Sequence, residues 1–255
     1  GLTVAVICWL GASGALLCLD LWLPWTSSAL FAILTSITLA TAEHAITRAQ
    51  RERVTVVCGV ATCVIAGVAL LVWTTDSLAL LRVGPDDTVT KVNTALCLLL
   101  LGMGLVMAAS GRPRWSAAAG ALAAGIGLAT LTEYVLGVDL GLDTLVSRGV
   151  EASVGTGPEH PSRMAPVTSV ALVCLGTGLA LGRRLPVLTQ TLALSAIGLG
   201  YVSLLGYAYG ERQLHALGVA SGVAVTTAAA LALTGVGLLW RHPTRGVPRL
   251  LRESG

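Results

Sequence analysis

The stretch NTALCLLLLGMGL, residues 93–105, returns as VTSVALVCLGTGL at 167–179 and, with fewer identities, as TTAAALALTGVGL at 226–238. In each copy a threonine (Thr94, Thr168, Thr227) is followed eight residues later by Gly-Xaa-Gly-Leu, which places glycines at Gly102 and Gly104, Gly176 and Gly178, and Gly235 and Gly237. Each copy starts an apolar run near the ~20 residues that a helix needs to cross hydrocarbon at about 1.5 Å per residue. The rest of the chain has the same character. Of its 255 residues 55% are hydrophobic and 11% charged, with a mean hydropathy of +0.81, whereas a soluble domain is about 25% charged. The fold class these runs predict is an all-α, polytopic helical membrane protein.

Working outward, the apolar runs number about eight: 2–22, 27–47, 54–74, 91–111, 115–138, 166–183, 186–209 and 217–240. Alternate gaps carry arginine: Arg48, Arg51 and Arg53, then Arg112 and Arg114, then Arg183 and Arg184, with Arg241, Arg245, Arg249 and Arg252 after the last run. The other gaps are acidic or mixed. The basic bias marks the cytoplasmic side, so both termini are expected there. Trp22, Trp25 and Trp73 fall at expected outer ends, and Trp115 and Trp240 at inner ends, where indole rings favour the membrane interface. The net charge of +3 is split among short gaps and forms no nucleic-acid stripe; the arginines suit anionic lipid headgroups instead. The first run reads as a signal-anchor span, and because the chain begins with glycine an initiator methionine, with further residues, is expected before it. All six cysteines lie inside the runs and read as apolar packing residues rather than a disulfide framework.

In lipid a helical glycine permits close approach of a neighbour, and a threonine hydroxyl can bond a carbonyl one turn back. Each copy therefore reads first as a packing module, with a ligand site lined by the threonines as the sharper alternative. The similarity extends further. AGIGLATLTEYVLG (124–137) matches IGLGYVSLLGYAYG (197–210) at Gly125, Gly127, Leu131, Tyr134 and Gly137 against Gly198, Gly200, Leu204, Tyr207 and Gly210. The unit is thus a helix pair, and the pairs are expected to be parallel repeats, unlike the inverted repeats of many transporters. The expected divisions are a three-helix segment (1–90), a first pair plus outer loop (91–165), a second pair (166–215), and a partial third repeat with a cytoplasmic tail (216–255).

Four pieces in order, NTALCLLLLGMGL, LTEYVLGVDLGLDTL, SRMAPVTSVALVCLGTGLAL and VAVTTAAALALTGVGLLWRHPTRG, resemble the N-terminal multi-span sensory region of bacterial signalling proteins. Such regions precede PAS or GAF modules, histidine kinases, diguanylate cyclases or phosphatases. The second piece looks like that family's Glu-Tyr-x-x-Gly-x-Asp-x-Gly-x-Asp pattern, and the last like its Arg-x-Pro-x-x-Gly turn. The third repeat departs from it, with Val225 and Thr226 where such chains often carry Leu and His. The resemblance implies a bacterial inner-membrane sensor, a truncation near RGVPRLLRESG, a cytoplasmic output module in the same chain or a partner, and a homodimer.

Glu133 stands in an apolar run about a turn from its outer end, and an intramembrane carboxylate is a functional suspect by default. Tyr134 adjoins it, and Asp139 and Asp143 follow at i, i+4 spacing. These four are expected to form one outer polar site, sensory or structural, with Arg148 or Arg163 as neutralising partner. Near the inner end of the second run, Glu43 and His44 stand one turn before Arg48 and read as an ion-pairing cluster. No pair among His44, His160, His215 and His242 has ligand spacing, so no metal and no cofactor is expected. The outer loop EASVGTGPEHPSRMA (151–165) has no justified nucleophile-base pair, and no phosphate-binding glycine loop occurs. The leading reading is a non-catalytic membrane input module; a transporter or channel subunit and a structural subunit of a membrane complex are the alternatives.

Overall fold

The structure, a computed structural model, describes residues 48–75, 89–138, 163–182, 184–209 and 222–241. They form six helices: α1 (Arg48–Thr74), α2 (Val92–Ala109), α3 (Pro113–Leu136), α4 (Pro166–Leu181), α5 (Pro186–Tyr209) and α6 (Val225–Trp240). Proline opens α3, α4 and α5, where its missing N–H would have had no helical partner. Between α2 and α3 the chain reverses at Gly111 (φ 74°), and the Arg112 N–H reaches back to the Met107 carbonyl at 2.9 Å. That left-handed stop lets two antiparallel helices follow each other with almost no loop.

The expectation of about eight membrane-spanning helices is corrected here. Among the described residues there are six helices, and only α1, α2, α3 and α5 are long and apolar enough to cross a membrane by length and composition. The helices α4 and α6 have 16 residues each. At that length they rise about 24 Å, short of the ~30 Å hydrocarbon layer. Hydropathy overcounted because it registers apolar residues whether or not they are helical. Ala224, inside the run read at 217–240, is extended, and the run at 166–183 is cut by the turn that starts at Gly182. The runs read at 2–22 and 27–47 lie outside the described residues.

The helices pack in three pairs, α1 with α2, α3 with α4, and α5 with α6. The longer helix of each pair also packs on the shorter helix of a neighbouring pair: α3 on α2, α5 on α4 and α1 on α6. The shorter helices α2, α4 and α6 also touch one another. The described bundle is therefore a closed ring of three helix pairs around a three-helix centre. Leu98, Leu101 and Leu105 of α2, Leu172, Leu175 and Leu179 of α4, and Leu231 and Leu238 of α6 fill that centre. Large exposed apolar side chains, including Val57, Val64, Leu71, Leu122 and Leu128, concentrate on the outer helices, as a lipid-facing surface requires.

The Gly-Xaa-Gly-Leu signature builds this ring. Its first glycine faces the outer helix of its own pair. A Cβ on Gly102 would lie 2.7 Å from the Gly59 carbonyl oxygen, one on Gly176 2.5 Å from that of Gly120, and one on Gly235 2.5 Å from Ile197 Cγ1. Its second glycine receives the signature leucine of the next copy. A Cβ on Gly104 would meet Leu179 at 2.5 Å, one on Gly178 would meet Leu238 at 2.9 Å, and one on Gly237 would meet Leu105 at 3.0 Å. Each copy thus supplies one knob and one hole, and the third copy closes on the first. The level contacts between equivalent residues make the three copies parallel.

Candidate functional site

Each inner helix is entered through a short non-helical leg: residues 89–91, 163–165 and 222–224. Thr90, Met164 and Val223 in these legs are 2%, 0% and 1% exposed. A buried non-helical carbonyl has no water to bond and needs a protein donor. The outer helix of the same pair supplies it each time. The Trp73 indole N–H donates to the Thr90 carbonyl at 2.7 Å, the Tyr134 hydroxyl to that of Met164 at 3.0 Å, and the Tyr207 hydroxyl to that of Val223 at 2.9 Å. Each accepting carbonyl lies four residues before the threonine of its repeat. Trp73, read from sequence as an interfacial ring, is this buried clamp in the first pair.

The residues just before the clamp and just before the accepting carbonyl differ sharply among the pairs. In the first pair they are Val72 and Val89, both buried in one apolar cluster. In the third they are Gly206 and Gly222. In the second they are Glu133 and Arg163, with Arg163 Nε 3.5 Å from Glu133 Oε2. The two side chains are 0% and 9% exposed. The guanidinium also lies over the Tyr134 ring, 5.4 Å from its centroid, which adds a cation–π attraction. Both charged residues and Tyr134 hold further contacts. This site ties the end of α3 to the leg of α4 by charge, at a level where the first pair is apolar and the third carries glycines. Chemically it can exchange a proton on the carboxylate or re-pair the guanidinium.

Of the residues singled out from sequence, Glu133 and Tyr134 meet at this site, and Arg163 is the charge partner. Asp139, Asp143 and Arg148 lie outside the described residues, as do Glu43, His44 and the outer loop up to residue 162. The backbone of Arg48 opens α1. Thr94, Thr168 and Thr227 are the buried third residues of α2, α4 and α6. Thr227 is drawn into a hydroxyl cluster, with Thr90 Oγ1 at 3.0 Å from its own oxygen and 2.6 Å from that of Thr226. Two more hydroxyls join α1 to α6: Thr55 donates to the Gly237 carbonyl at 3.1 Å, and Thr62 meets Thr234 at 3.1 Å. Between α5 and α4, Thr189 donates to the Gly178 carbonyl at 3.2 Å. Among the described residues no group of three or more His, Cys, Asp and Glu is placed to hold a metal ion. Sequence reasoning missed the Trp73 clamp and the threonine seam; an aromatic near the end of each outer helix was the available signal.

No family model, curated protein or solved structure matches this chain.

Proposed function

We propose that this multi-span helical chain is a non-catalytic sensory module of a bacterial membrane signalling protein, and that the Glu133–Arg163 pair is its input latch. The coarser statement, a helical chain consistent with a multi-pass membrane protein, is carried by the four long apolar helices. The latch rests on one observation: a buried ion pair stands where the equivalent positions are Val–Val and Gly–Gly. Replacing a buried ion pair by apolar residues is often neutral or stabilising, so stability is a weak reason to keep one. Its breakage would free α3 from the leg of α4, and both helices run to the opposite end of the bundle. That end carries Arg51, Arg53, Arg112, Arg114, Arg184 and Arg241, the bias of a cytoplasmic face. A shift of packed helices is a familiar way to carry a signal across such a distance. The leucine-filled centre supports a sensor over a conduit. The resemblance in the motifs supplies the rest of the reading: an output module in the same chain or a partner protein, and a homodimer.

The test copies the first pair into the second. The chain is joined to a reporter cyclase, and Glu133→Val with Arg163→Val is compared with the parent. The double variant is expected to fold with an unchanged or higher melting temperature while its output per folded molecule shifts by about fivefold or more, the lower end of ordinary coupling energies. Unchanged output from the folded variant would sink the latch. Proton flux in liposomes that disappears with Glu133→Gln would replace the sensor by a transporter.

A further inference from the structure

One position recurs on the three outer helices, eighteen residues before the aromatic clamp of each: Thr55 before Trp73, Ser116 before Tyr134 and Thr189 before Tyr207. That spacing is about five helical turns, so each of these residues lies toward the arginine-bearing end. Each packs against the second signature glycine of a neighbouring copy. A Cβ on Gly104 would lie 3.5 Å from the Ser116 carbonyl oxygen, one on Gly178 3.7 Å from that of Thr189, and one on Gly237 3.7 Å from that of Thr55. The backbones thus approach alike in all three seams. In two of them the side-chain hydroxyl donates to the glycine carbonyl, Thr55 to Gly237 at 3.1 Å and Thr189 to Gly178 at 3.2 Å. Ser116 is fully buried, and among the described residues its hydroxyl has no hydrogen-bond partner.

We infer that the seam between α2 and α3 is a two-state contact, in which Ser116 turns between the unbonded position of this structure and a bond to the Gly104 carbonyl. A helical carbonyl has a second lone pair, so Gly104 can accept this bond as Gly178 and Gly237 do. The residue type supplies the freedom. A threonine is stiff at χ1, and in the α4–α5 seam the Thr189 methyl lies 3.7 Å from where a Cβ on Gly178 would stand, in ordinary contact. Serine has no such methyl, so its hydroxyl leaves the carbonyl without a clash. The packing also differs. Leu179 enters the Gly104 hole to within 2.5 Å of an added Cβ, against 2.9 Å and 3.0 Å for the leucines at Gly178 and Gly237. An unpaired buried hydroxyl is costly and persists where close packing offsets the cost, which leaves two positions near in free energy. The helix concerned is α3, whose other end carries the Glu133–Arg163 pair. Of the three outer helices, α3 therefore has one hydroxyl bond fewer to its neighbouring copy and a charge contact at its far end. Use of this seam as the output end of the latch rests on the sensory reading; the two-state contact itself does not.

The full chain in nanodiscs would be followed by amide hydrogen exchange and by melting temperature, neither of which depends on a signal or an output module. Ser116→Thr adds the methyl that holds the hydroxyl on the Gly104 carbonyl, and should slow exchange over residues 113–123 by about threefold to fivefold, the factor of one net hydrogen bond. Thr189→Ser removes that methyl from the α4–α5 seam and should speed exchange at the start of α5 by a similar factor. Ser116→Ala should leave the melting temperature unchanged, whereas Thr55→Val and Thr189→Val should lower it. A loss in Ser116→Ala equal to theirs would show a permanently made bond and overturn the two-state seam. Unchanged exchange in folded Ser116→Thr would overturn it as well. If Ser116→Thr does not fold, Thr189→Ser decides: unchanged exchange at the start of α5 would mean that the methyl does not set the bond. Loss of reporter output with these exchange shifts intact would count against the sensory reading alone.

Discussion

At the scale of single residues, two kinds of polar contact share the entrance of the second pair, and their sizes should differ. The Tyr134 hydroxyl satisfies one carbonyl. Its loss in Tyr134→Phe leaves that carbonyl buried in a dry place, a cost of about 1–3 kcal/mol in general and nearer ~0.6 kcal/mol for average interhelical bonds in bilayers. Tyr207→Phe should match it, because Tyr207 serves Val223 in the same way. Removing one charge is a larger disturbance. Arg163→Met removes the guanidinium beside the buried Glu133, and breaking a buried pair from one side costs about 3–5 kcal/mol. Unfolding in mixed micelles should therefore rank Arg163→Met well below the two tyrosine variants. Equal losses would mean that the charge pair is already screened by water.

At the scale of elements, the glycines divide into those that set a helix spacing and those that do not. Gly176 and Gly120 approach so closely that a Cβ on either falls within 2.6 Å of the other's carbonyl oxygen. Gly176→Val should push α3 and α4 apart and cost at least the ~1–3 kcal/mol of ordinary overpacking. Gly125 and Gly198 have nothing within 4 Å of an added Cβ. Gly125→Ala should be neutral or stabilising by about 0.4–1 kcal/mol, because it only narrows the unfolded chain. Comparing the two melting temperatures checks the assignment. The repeated glycines were plain in the sequence, but Gly125 and Gly127 look alike there. In a membrane bundle both the lipid side and the packed side of a helix are apolar, so the periodicity that separates faces in a soluble helix is faint. The first pair was harder still to see, since Trp73 replaces tyrosine and Val72 and Val89 leave no polar trace.

At the scale of the whole molecule, the ring makes distant residues equivalent. Leu105, Leu179 and Leu238 each fill the second glycine of another copy. Truncating any one to alanine opens the same kind of void, and buried Leu→Ala changes cost about 2–5 kcal/mol. The three variants should lose stability by amounts within about 1 kcal/mol of one another in the same unfolding assay. A much smaller loss for Leu105→Ala would mean that α6 does not close on α2. Three copies of a motif were legible in the sequence, but their closure was not. The contact of α1 with α6 joins the farthest described segments through hydroxyls of Thr55 and Thr62, and nothing local announces it. The miscount of spans has a related cause. The run read at 217–240 took in the extended leg of α6, and the run at 166–183 took in the turn at Gly182; hydropathy registers neither.

The threonine seam also carries a consequence for biogenesis. A chain leaves the ribosome from its N-terminal end, so α1 and its neighbouring leg enter the bilayer while α6 is still unmade. Until then the hydroxyls of Thr55 and Thr90 lack the partners that Gly237, Thr226 and Thr227 later supply, and the Thr62 hydroxyl has the Cys58 carbonyl of its own helix but not yet Thr234. The last described helix is the keystone: its arrival completes the ring and buries these hydroxyls between helices made far apart in time.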